Sequence, residues 1–227
     1  MIFDRYDQVR VINLPHRSDR RREMEVEFAK VGLEEHPDLN FFSGVKTAQK
    51  EPFHSAGARG CFLSHLGVLE QALRDRKSVL VLEDDCTFLP HAATFMQAAD
   101  TQIFYGGWGQ ESDPTDLPNS DLAGAHCMGF SRDVLKALVP FLQRMLQAGS
   151  TYDPAIVRSD FNPQIRPPID GAYIWFRRYH PEFRTEFAMI SHQRASTSDI
   201  ADRQWFDRTP LVRDLAGLAR RVRNQLR

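Results

Sequence analysis

The sequence predicts an α/β fold in which a mostly parallel central sheet is flanked by helices. Short β-branched or apolar runs alternate with segments of helical periodicity, which is typical of strand-helix-strand units. The continuous apolar run at residues 78–82 is too short for a buried helix and is our best central strand. It ends in three consecutive acids, at the end of a parallel strand where open α/β sheets bind their ligands.

The composition is that of an ordinary globular protein. Of 227 residues, 42% are hydrophobic and 26% are charged, which excludes disordered and fibrous classes. The formal net charge of -1 lacks the basic excess of a nucleic-acid-binding protein, so we expect no nucleic-acid partner. The 3 cysteines are too widely spaced for a disulfide framework or a zinc knuckle and predict a reducing compartment.

The elements expected along the chain follow from periodicity and from turn residues. The second half shows fewer crossovers than the first and is expected to add antiparallel strands. In order, we predict a strand at 9–14, a helix at 18–30 stopped by Gly32, a strand at 40–44, a polar loop to Gly60, a helix at 61–74, the strand at 78–82, a short helix at 91–98, a strand at 103–107, a surface loop at 110–121, a strand at 125–130, a helix after the N-cap Ser131, an irregular segment at 154–168 and a helix that starts at Asp170.

The acids Glu83, Asp84 and Asp85 are the strongest chemical signal in the sequence. Clustered carboxylates repel one another, so a cation normally neutralises them. Mg²⁺ or Mn²⁺ prefers oxygen ligands and is commonly held by one or two carboxylates together with substrate phosphates. The competing interpretation is a solvated acidic turn that caps the next helix.

Weaker signals precede the acids. The glycines of residues 57–60 precede a helical pattern, where free N–H groups favour anions, and Arg59 adds a phosphate partner. Ser64 and His65, taken alone, are better read as an ordinary first helical turn. Asn13 follows the first strand and could hydrogen-bond a nucleobase while Arg17 reaches phosphate, although in isolation this is a polar turn.

Two further candidates lie late in the chain. Asp170 stands at a helix start, where it is either a plain N-cap or an ionised carboxylate suited to act as a base. His192 is a candidate metal ligand, and the hydroxyl-rich segment with Ser198 and Asp199 could touch phosphates. As isolated residues, these favour a surface loop.

Taken together and in this order, the segments resemble glycosyltransferase family 25, the lipooligosaccharide β-galactosyltransferase and collagen galactosyltransferase family. The resemblance covers about residues 8 to 200. Its motifs are I-N-L-x-x-R-x-x-R at residues 12–20, G-x-x-G-C-x-x-S-H at 57–65, a strand closing in E-D-D at 79–85, a small-residue strand and helix at 125–138, P-I-D at 168–170 and Q-x-x-x-x-S-D-I at 193–200. The helix after His65 lacks a tryptophan expected near its middle, and His126 stands where an aromatic residue is commoner; both departures concern the acceptor.

The resemblance implies a GT-A-type nucleotide-sugar-binding fold and an inverting transfer from a UDP-sugar, with UDP-galactose as the expected donor, to a glycan or glycolipid. It assigns donor contacts to Asn13, Leu14, Arg17, Arg59, Ser64, Glu83, Asp84, Ser198 and Asp199, and a divalent metal (Mn²⁺ or Mg²⁺) to Asp84, Asp85 and His192. Asp170 is the implied catalytic base. Two alternatives stay open: a metal-dependent phosphohydrolase or phosphotransferase, and a non-catalytic nucleotide-binding scaffold.

The last residues differ from the rest in kind. We divide the chain into a catalytic domain at 1–208 and a basic amphipathic helix at 209–227, in which apolar residues recur at helical spacing between arginines. The N-terminus carries charges where a signal peptide needs an apolar run. We therefore expect a cytoplasmic protein, with the last helix either holding it on the inner face of the membrane or packing on the domain.

Overall fold

The computed structural model describes residues 2–109, 116–147, 149–152 and 165–194, and it has the expected α/β architecture. Helices alternate with short strands through the first half. The elements are β1 (Gln8–Asn13), α1 (Ser18–Val31), β2 (Leu39–Ser43), α2 (Ala56–Asp75), β3 (Val79–Glu83), β4 (Cys86–Phe88), β5 (Ile103–Tyr105), β6 (Cys127–Phe130), α3 (Arg132–Met145), α4 (Ile169–Tyr179), β7 (Thr185–Phe187) and β8 (Ser191–Gln193), with short 3₁₀ helices at Phe3–Arg5, Leu33–Glu35 and Pro90–Thr94.

The central sheet has six strands in the order β2-β1-β3-β6-β5-β7. The pairs β1–β2, β1–β3 and β5–β7 are parallel, whereas β6 runs antiparallel to both of its neighbours. A separate two-stranded ladder joins β4 to β8. The mostly parallel sheet is confirmed, and β6, the strand that runs antiparallel to both neighbours, lies in the second half of the chain, as predicted.

Helix ends follow the capping residues seen in the sequence. Gly32 stops α1 with a φ of 69°, in the left-handed region that glycine enters at little cost. The Ser131 hydroxyl accepts a 3.4 Å hydrogen bond from the Val134 amide and begins α3. Both predictions are confirmed.

Several predicted bounds differ from those of the structure. Helix α2 begins at Ala56 rather than after Gly60, because Ser55 caps it by accepting a 3.1 Å bond from the Ala58 amide. Only a 3₁₀ turn forms within the helix predicted at 91–98, and Asp170 lies one residue inside α4, whose N-cap is Pro168. The predictions for residues 110–115, 153–164 and 195–227 lie outside the described residues.

Two apolar cores lie on opposite faces of the sheet. Along β3, Val79 and Val81 join the core packed under α2, α3 and α4, while Leu80 and Leu82 join the core under α1. This alternation is the two-residue period of a strand that is buried on both faces. The sheet is therefore covered on both sides, and its carboxyl edge is left to carry a site.

Asp7 ties the start of the sheet to β3 and α3, and it provides a test of stability against pH. Its carboxylate accepts bonds of 2.7 Å from the Ser78 amide, the Ser78 hydroxyl and Arg132. The Arg132 contact, reinforced by Ser78, holds the pKa of Asp7 well below its usual value. We expect Asp7→Asn to lower the free energy of unfolding at pH 7 by about 1 kcal/mol, the scale of a partly buried hydrogen-bond network.

The loss should depend on pH in a definite direction. A carboxyl whose pKa is depressed in the fold adds stability above its unfolded pKa of about 4 and loses that contribution as the pH falls through the folded value. Urea unfolding of the wild-type protein and of Asp7→Asn between pH 7 and pH 2 should therefore show a difference in the free energy of unfolding that narrows below about pH 4. Asp133→Asn, at an exposed pair with Lys136 on α3, is the control and should change little. A gap of constant size across this range would contradict the assignment.

Candidate active site at the carboxyl edge of the sheet

The carboxyl ends of β1 and β3 meet at one edge of the sheet and bring the acids together with Asn13. The two strands are parallel and in register, with Ile12 opposite Glu83. Asp84 and Asp85 form the turn that leads from β3 directly into β4. The predicted placement of the acids at the end of a parallel strand is confirmed.

Asp84 is held from both sides. Its Oδ1 accepts a 2.6 Å charged hydrogen bond from Arg20, and its Oδ2 accepts a 2.8 Å bond from the Asn13 side-chain amide. Asn13 also donates to the Arg17 carbonyl at 3.1 Å. Asp84 therefore fastens the β1–α1 loop against the end of β3.

Asp85 is compensated far less. Arg20 lies 3.7 Å from its Oδ2, and the Gln193 amide donates to the same oxygen at 3.2 Å. Burial, followed by the charge of Glu83, raises the pKa of Asp85 to about 7. A buried carboxylate in this position is the group at this edge that would gain most from a cation.

Glu83 belongs to a second group of contacts formed with α2. His65 Nε2 lies 3.1 Å from its Oε1, and the Cys61 thiol donates to the same oxygen at 3.5 Å. Burial alone would raise the pKa of Glu83, but the hydrogen bond and charge of His65 outweigh it and lower that pKa. On its other side, His65 Nδ1 contacts the Tyr173 hydroxyl of α4 at 3.0 Å.

Asp170 approaches this edge from the first turn of α4. Its carboxylate accepts hydrogen bonds from the Gly124 amide at 3.0 Å and from the Gly171 amide at 2.9 Å. Burial raises the pKa of the Cys61 thiol, with further contributions from Glu83 and Asp170. The charges of Glu83 and Asp170 therefore both act on the Cys61 thiol.

The comparison with known proteins covers the site residues that come from the first half of the chain. Residues 7–111 match the sequence model of Glycosyltransferase family 25 (LPS biosynthesis protein). Over these residues the chain is similar to glycosyltransferase family 25. The matched segment contains β1, α2 and β3, and with them all three acids and their partners Asn13, Arg20, Cys61 and His65.

Individual relatives agree with the family match. A protein described as a glycosyltransferase 25 family member from Aedes aegypti is 32% identical over 121 residues, 43% of this chain and 19% of its own length. A protein of the same description from Drosophila melanogaster is 35% identical over 103 residues, 37% of this chain and 17% of its own. The chain spans about a fifth of the length of these relatives.

One solved structure is similar over most of the chain. It is a crystal structure of a glycosyltransferase involved in the glycosylation of the major capsid of PBCV-1. The similarity covers 84% of this chain and 83% of that chain, with a TM-score of 0.43 and 10% sequence identity.

Several family 25 motif residues serve the scaffold in this structure. Ser64 donates to the Gly60 carbonyl at 2.7 Å and accepts from the Val45 amide at 2.7 Å, so it fixes the loop after β2 to α2. Arg59 donates to the Glu51 carbonyl at 2.6 Å, and Arg17 pairs with Asp19 at 2.9 Å. Donor contacts by these residues remain predictions.

The other predicted residues are only partly brought to the edge. Leu14 follows β1, and its carbonyl accepts the Arg17 amide at 2.8 Å. His192 lies exposed on β8 opposite Thr87, while its neighbour Gln193 is the residue that contacts Asp85. Ser198 and Asp199 lie outside the described residues.

Sequence reasoning gave no role to three residues that organise the site. Arg20 neutralises Asp84, Gln193 contacts Asp85, and Tyr173 contacts His65. Arg20 and Gln193 were visible as motif positions, but only their contacts show what they do. Tyr173 carried no motif signal, because its partner is 108 positions away in the chain.

Gly60, predicted to belong to a phosphate-binding loop, is required instead by close packing. A Cβ at this position would lie 2.5 Å from the Val45 carbonyl oxygen, a backbone atom. We expect Gly60→Ala to lower the free energy of unfolding by about 1–3 kcal/mol through overpacking, even though alanine favours a helix by about 1 kcal/mol. Urea unfolding measures the change; an equal or higher stability would contradict the packing argument.

The residues at this edge fit the divalent metal that the family resemblance implies. Oxygen ligands suit Mg²⁺ and Mn²⁺, and among the described residues the Asp85 carboxylate faces Arg20 only at 3.7 Å, with the Gln193 amide at 3.2 Å. Asp84 would have to give up its contact with Arg20 or Asn13 in order to bind a metal. Asp85 is therefore the better placed ligand of the two.

Proposed function

We propose that the chain is an inverting, metal-dependent glycosyltransferase that moves a hexose from a UDP-sugar to a hydroxyl of a glycan acceptor. The observation that supports this most is the position of Asp85, a buried and poorly compensated carboxylate at the carboxyl edge of the sheet. The family 25 match of the segment that contains it supports a transferase of sugars.

The proposal divides the work at the donor end between Asp84 and Asp85. A divalent metal bound there would offset the charge that develops on the UDP leaving group. Asp85 is its ligand, and Asp84 keeps the β1–α1 loop in place through Asn13 and Arg20. That loop would then present Asn13, Leu14 and Arg17 to the nucleotide, while Glu83 supports the ribose or the metal.

The proposal gives the acceptor end to Asp170. Inversion needs a base that removes the proton of the acceptor hydroxyl while its oxygen attacks the anomeric carbon. Asp170 lies in the first turn of α4, and two backbone amides hold its carboxylate. The proposed base would therefore come from a different element than the proposed donor residues of the β1–α1 loop and of the end of β3.

Galactose as the sugar and a lipooligosaccharide or lipopolysaccharide as the acceptor complete the proposal. They are implied by the family resemblance and by the family description, which refers to LPS biosynthesis. Since the curated relatives are about five times longer than their matched segments, their own substrates do not transfer to this chain.

A donor screen tests the proposal directly. Release of UDP is measured with a panel of UDP-hexoses and UDP-N-acetylhexosamines, with Mn²⁺, with Mg²⁺ and with a chelator. We expect release that depends on the metal and is fastest with UDP-galactose. A different best donor would correct only the sugar. If no UDP-sugar binds or turns over with metal present, the proposal fails, and release of phosphate from simple phosphate esters would then favour the phosphohydrolase.

A peripheral membrane contact through residues 209–227 is a separate part of the proposal. In the part of the chain that the structure describes, no helix is long and apolar enough to cross a bilayer. Arginines between apolar residues at helical spacing favour binding to an anionic surface. We expect the full chain to float with anionic liposomes and a chain ending at Arg208 to remain behind. Equal, negligible flotation of both proteins would rule out this contact.

A further inference from the structure

The contacts of Glu83 with α2 suggest a second metal site beside the proposed donor site. Cys61 and His65 are four residues apart in α2, so they share one face of the helix, and Glu83 reaches that face from the end of β3. One ligand atom from each residue lies within 4.8 Å of the other two. A thiol, an imidazole and a carboxylate thus meet at one point.

Two of the three separations between these atoms are close to those of a zinc coordination shell. With Zn–N and Zn–O bonds of about 2.0–2.2 Å and a Zn–S bond of about 2.3 Å, adjacent ligand atoms of a tetrahedron lie roughly 3.3–3.6 Å apart. His65 Nε2 lies 3.1 Å from Glu83 Oε1, and Cys61 Sγ lies 3.5 Å from the same oxygen. The third separation, between the ligand atoms of Cys61 and His65, is within 4.8 Å, so the two side chains of α2 would adjust towards each other to bind an ion.

The partners of the three residues also have the arrangement that supports a metal ligand. A ligating imidazole normally has its second nitrogen fixed by a hydrogen bond. His65 has this, because Tyr173 contacts Nδ1 at 3.0 Å and leaves Nε2 to face Glu83. The second oxygen of Glu83 lies 3.4 Å from the Gln193 amide, so Oε1 is the oxygen turned to the cluster.

We propose that Cys61, His65 and Glu83 bind one Zn²⁺ ion, separately from the Mg²⁺ or Mn²⁺ proposed at Asp85. The thiolate and imidazole ligands select the softer ion, whereas an all-oxygen site selects the harder ones. Three protein ligands leave a fourth tetrahedral position for water or another small ligand. Binding converts the Cys61 thiol to a thiolate, and its proton is released to solvent.

Such an ion would fasten the carboxyl end of β3 to α2. Glu83 would keep its Oε2 for Gln193 while Oε1 binds the ion, so the site at Asp85 stays available. The competing interpretation is that the three side chains only form a hydrogen-bonded cluster that orients Glu83. The two interpretations differ in whether the wild-type protein binds a thiophilic ion.

Cobalt substitution in the full-length chain distinguishes them. Purified protein, reduced and freed of metal, is titrated with Co²⁺ while the near-ultraviolet thiolate-to-cobalt charge-transfer band is recorded. We expect one equivalent to saturate the band, equimolar Zn²⁺ to abolish it, and excess Mg²⁺ to leave it unchanged. Absence of the band from the wild-type protein would overturn the proposal and establish the hydrogen-bonded cluster.

Variants identify the ligands. Cys61→Ser should abolish the band, whereas Cys127→Ala, at a buried cysteine of the other core, should keep it. Tyr173→Phe should weaken Co²⁺ binding about 10–100-fold, as loss of a hydrogen bond to a ligating histidine does. A band that survives Cys61→Ser, or that is lost in Cys127→Ala with the fold intact by circular dichroism, would refute the assignment.

A measurement on the wild-type protein alone covers the case in which Cys61→Ser does not fold. Zinc K-edge X-ray absorption of the loaded protein should show one sulfur among nitrogen and oxygen neighbours. A shell without sulfur would overturn the proposal. Neither readout uses sugar transfer, so both are independent of the proposed activity.

Discussion

Asp85→Asn should reduce metal-dependent transfer from a UDP-sugar by about 10²–10³-fold in kcat, the scale seen when one electrostatic stabiliser of a transition state is removed. The asparagine keeps the shape of the side chain and an oxygen for the Gln193 amide, but it removes the charge that the metal needs. Initial rates over a range of Mn²⁺ concentrations measure both the lower kcat and a weaker apparent metal affinity. Asp133→Asn, at an exposed side chain of α3, is the matched control and should retain full activity.

The same substitution should make the metal-free protein more stable. The pKa of Asp85 is raised from 3.8 to about 7 in the fold, so ionisation of this group costs the native state free energy as the pH rises between these values. At pH 8 we expect the thermal midpoint of Asp85→Asn to lie about 2–4 °C higher, the shift that ~1 kcal/mol produces in a chain of this size. The difference should shrink as the pH falls from 7 towards 4. Full activity, or a midpoint lowered at pH 8, would show that Asp85 is a structural residue.

Asp170→Asn should abolish transfer while leaving the donor bound. If Asp170 is the base, its loss should lower kcat by about 10²–10⁴-fold, the usual contribution of general base catalysis. The affinity for the UDP-sugar, measured by calorimetry with Mn²⁺, should stay nearly unchanged, because the proposed donor contacts lie at the ends of β1 and β3. Separation of kcat from donor affinity is a readout that a merely structural role would not give.

The control for Asp170→Asn is Asp121→Asn. Asp121 also contacts α4, through a 2.6 Å ion pair with Arg178, but this contact is at the other end of the helix from Asp170. A loss of activity shared by both variants would point to a displaced α4 rather than to a missing base. Retained transfer in Asp170→Asn would exclude Asp170 and leave the base to be sought among other groups at this edge.

The sequence was sufficient to place the acids but not to rank them. An apolar run that ends in three acids predicts where a strand stops, because burial on both faces requires a continuous apolar pattern. It does not show which acid is neutralised. That depends on Arg20, whose guanidinium reaches Asp84 at 2.6 Å and Asp85 only at 3.7 Å.

The start of α2 shows how tertiary contacts override a local signal. Gly57 and Gly60 favour a loop by propensity, and the sequence therefore predicts a loop that ends at Gly60. In the structure Ser55 caps the helix one turn earlier, and Gly60 lets the loop after β2 cross α2 closely. Neither the cap nor the crossing can be inferred from glycine spacing, because both depend on where residue 45 lies.

The pairing of β4 with β8 limits how far the chain can be shortened without loss of the residues around the acids. Strand β8 lies more than a hundred positions after β4 in the chain, yet it pairs with β4 directly after the acidic turn. Next to this pairing, the Arg194 amide donates a 2.7 Å hydrogen bond to the Asp85 carbonyl. The match to the family model ends at residue 111, yet Asp170, Tyr173 and Gln193 come after it. A fragment that ends at residue 111 would contain the three acids but lack these three later residues. Truncated or transplanted domains should therefore keep both strands of the β4–β8 ladder and should not end where the family match ends.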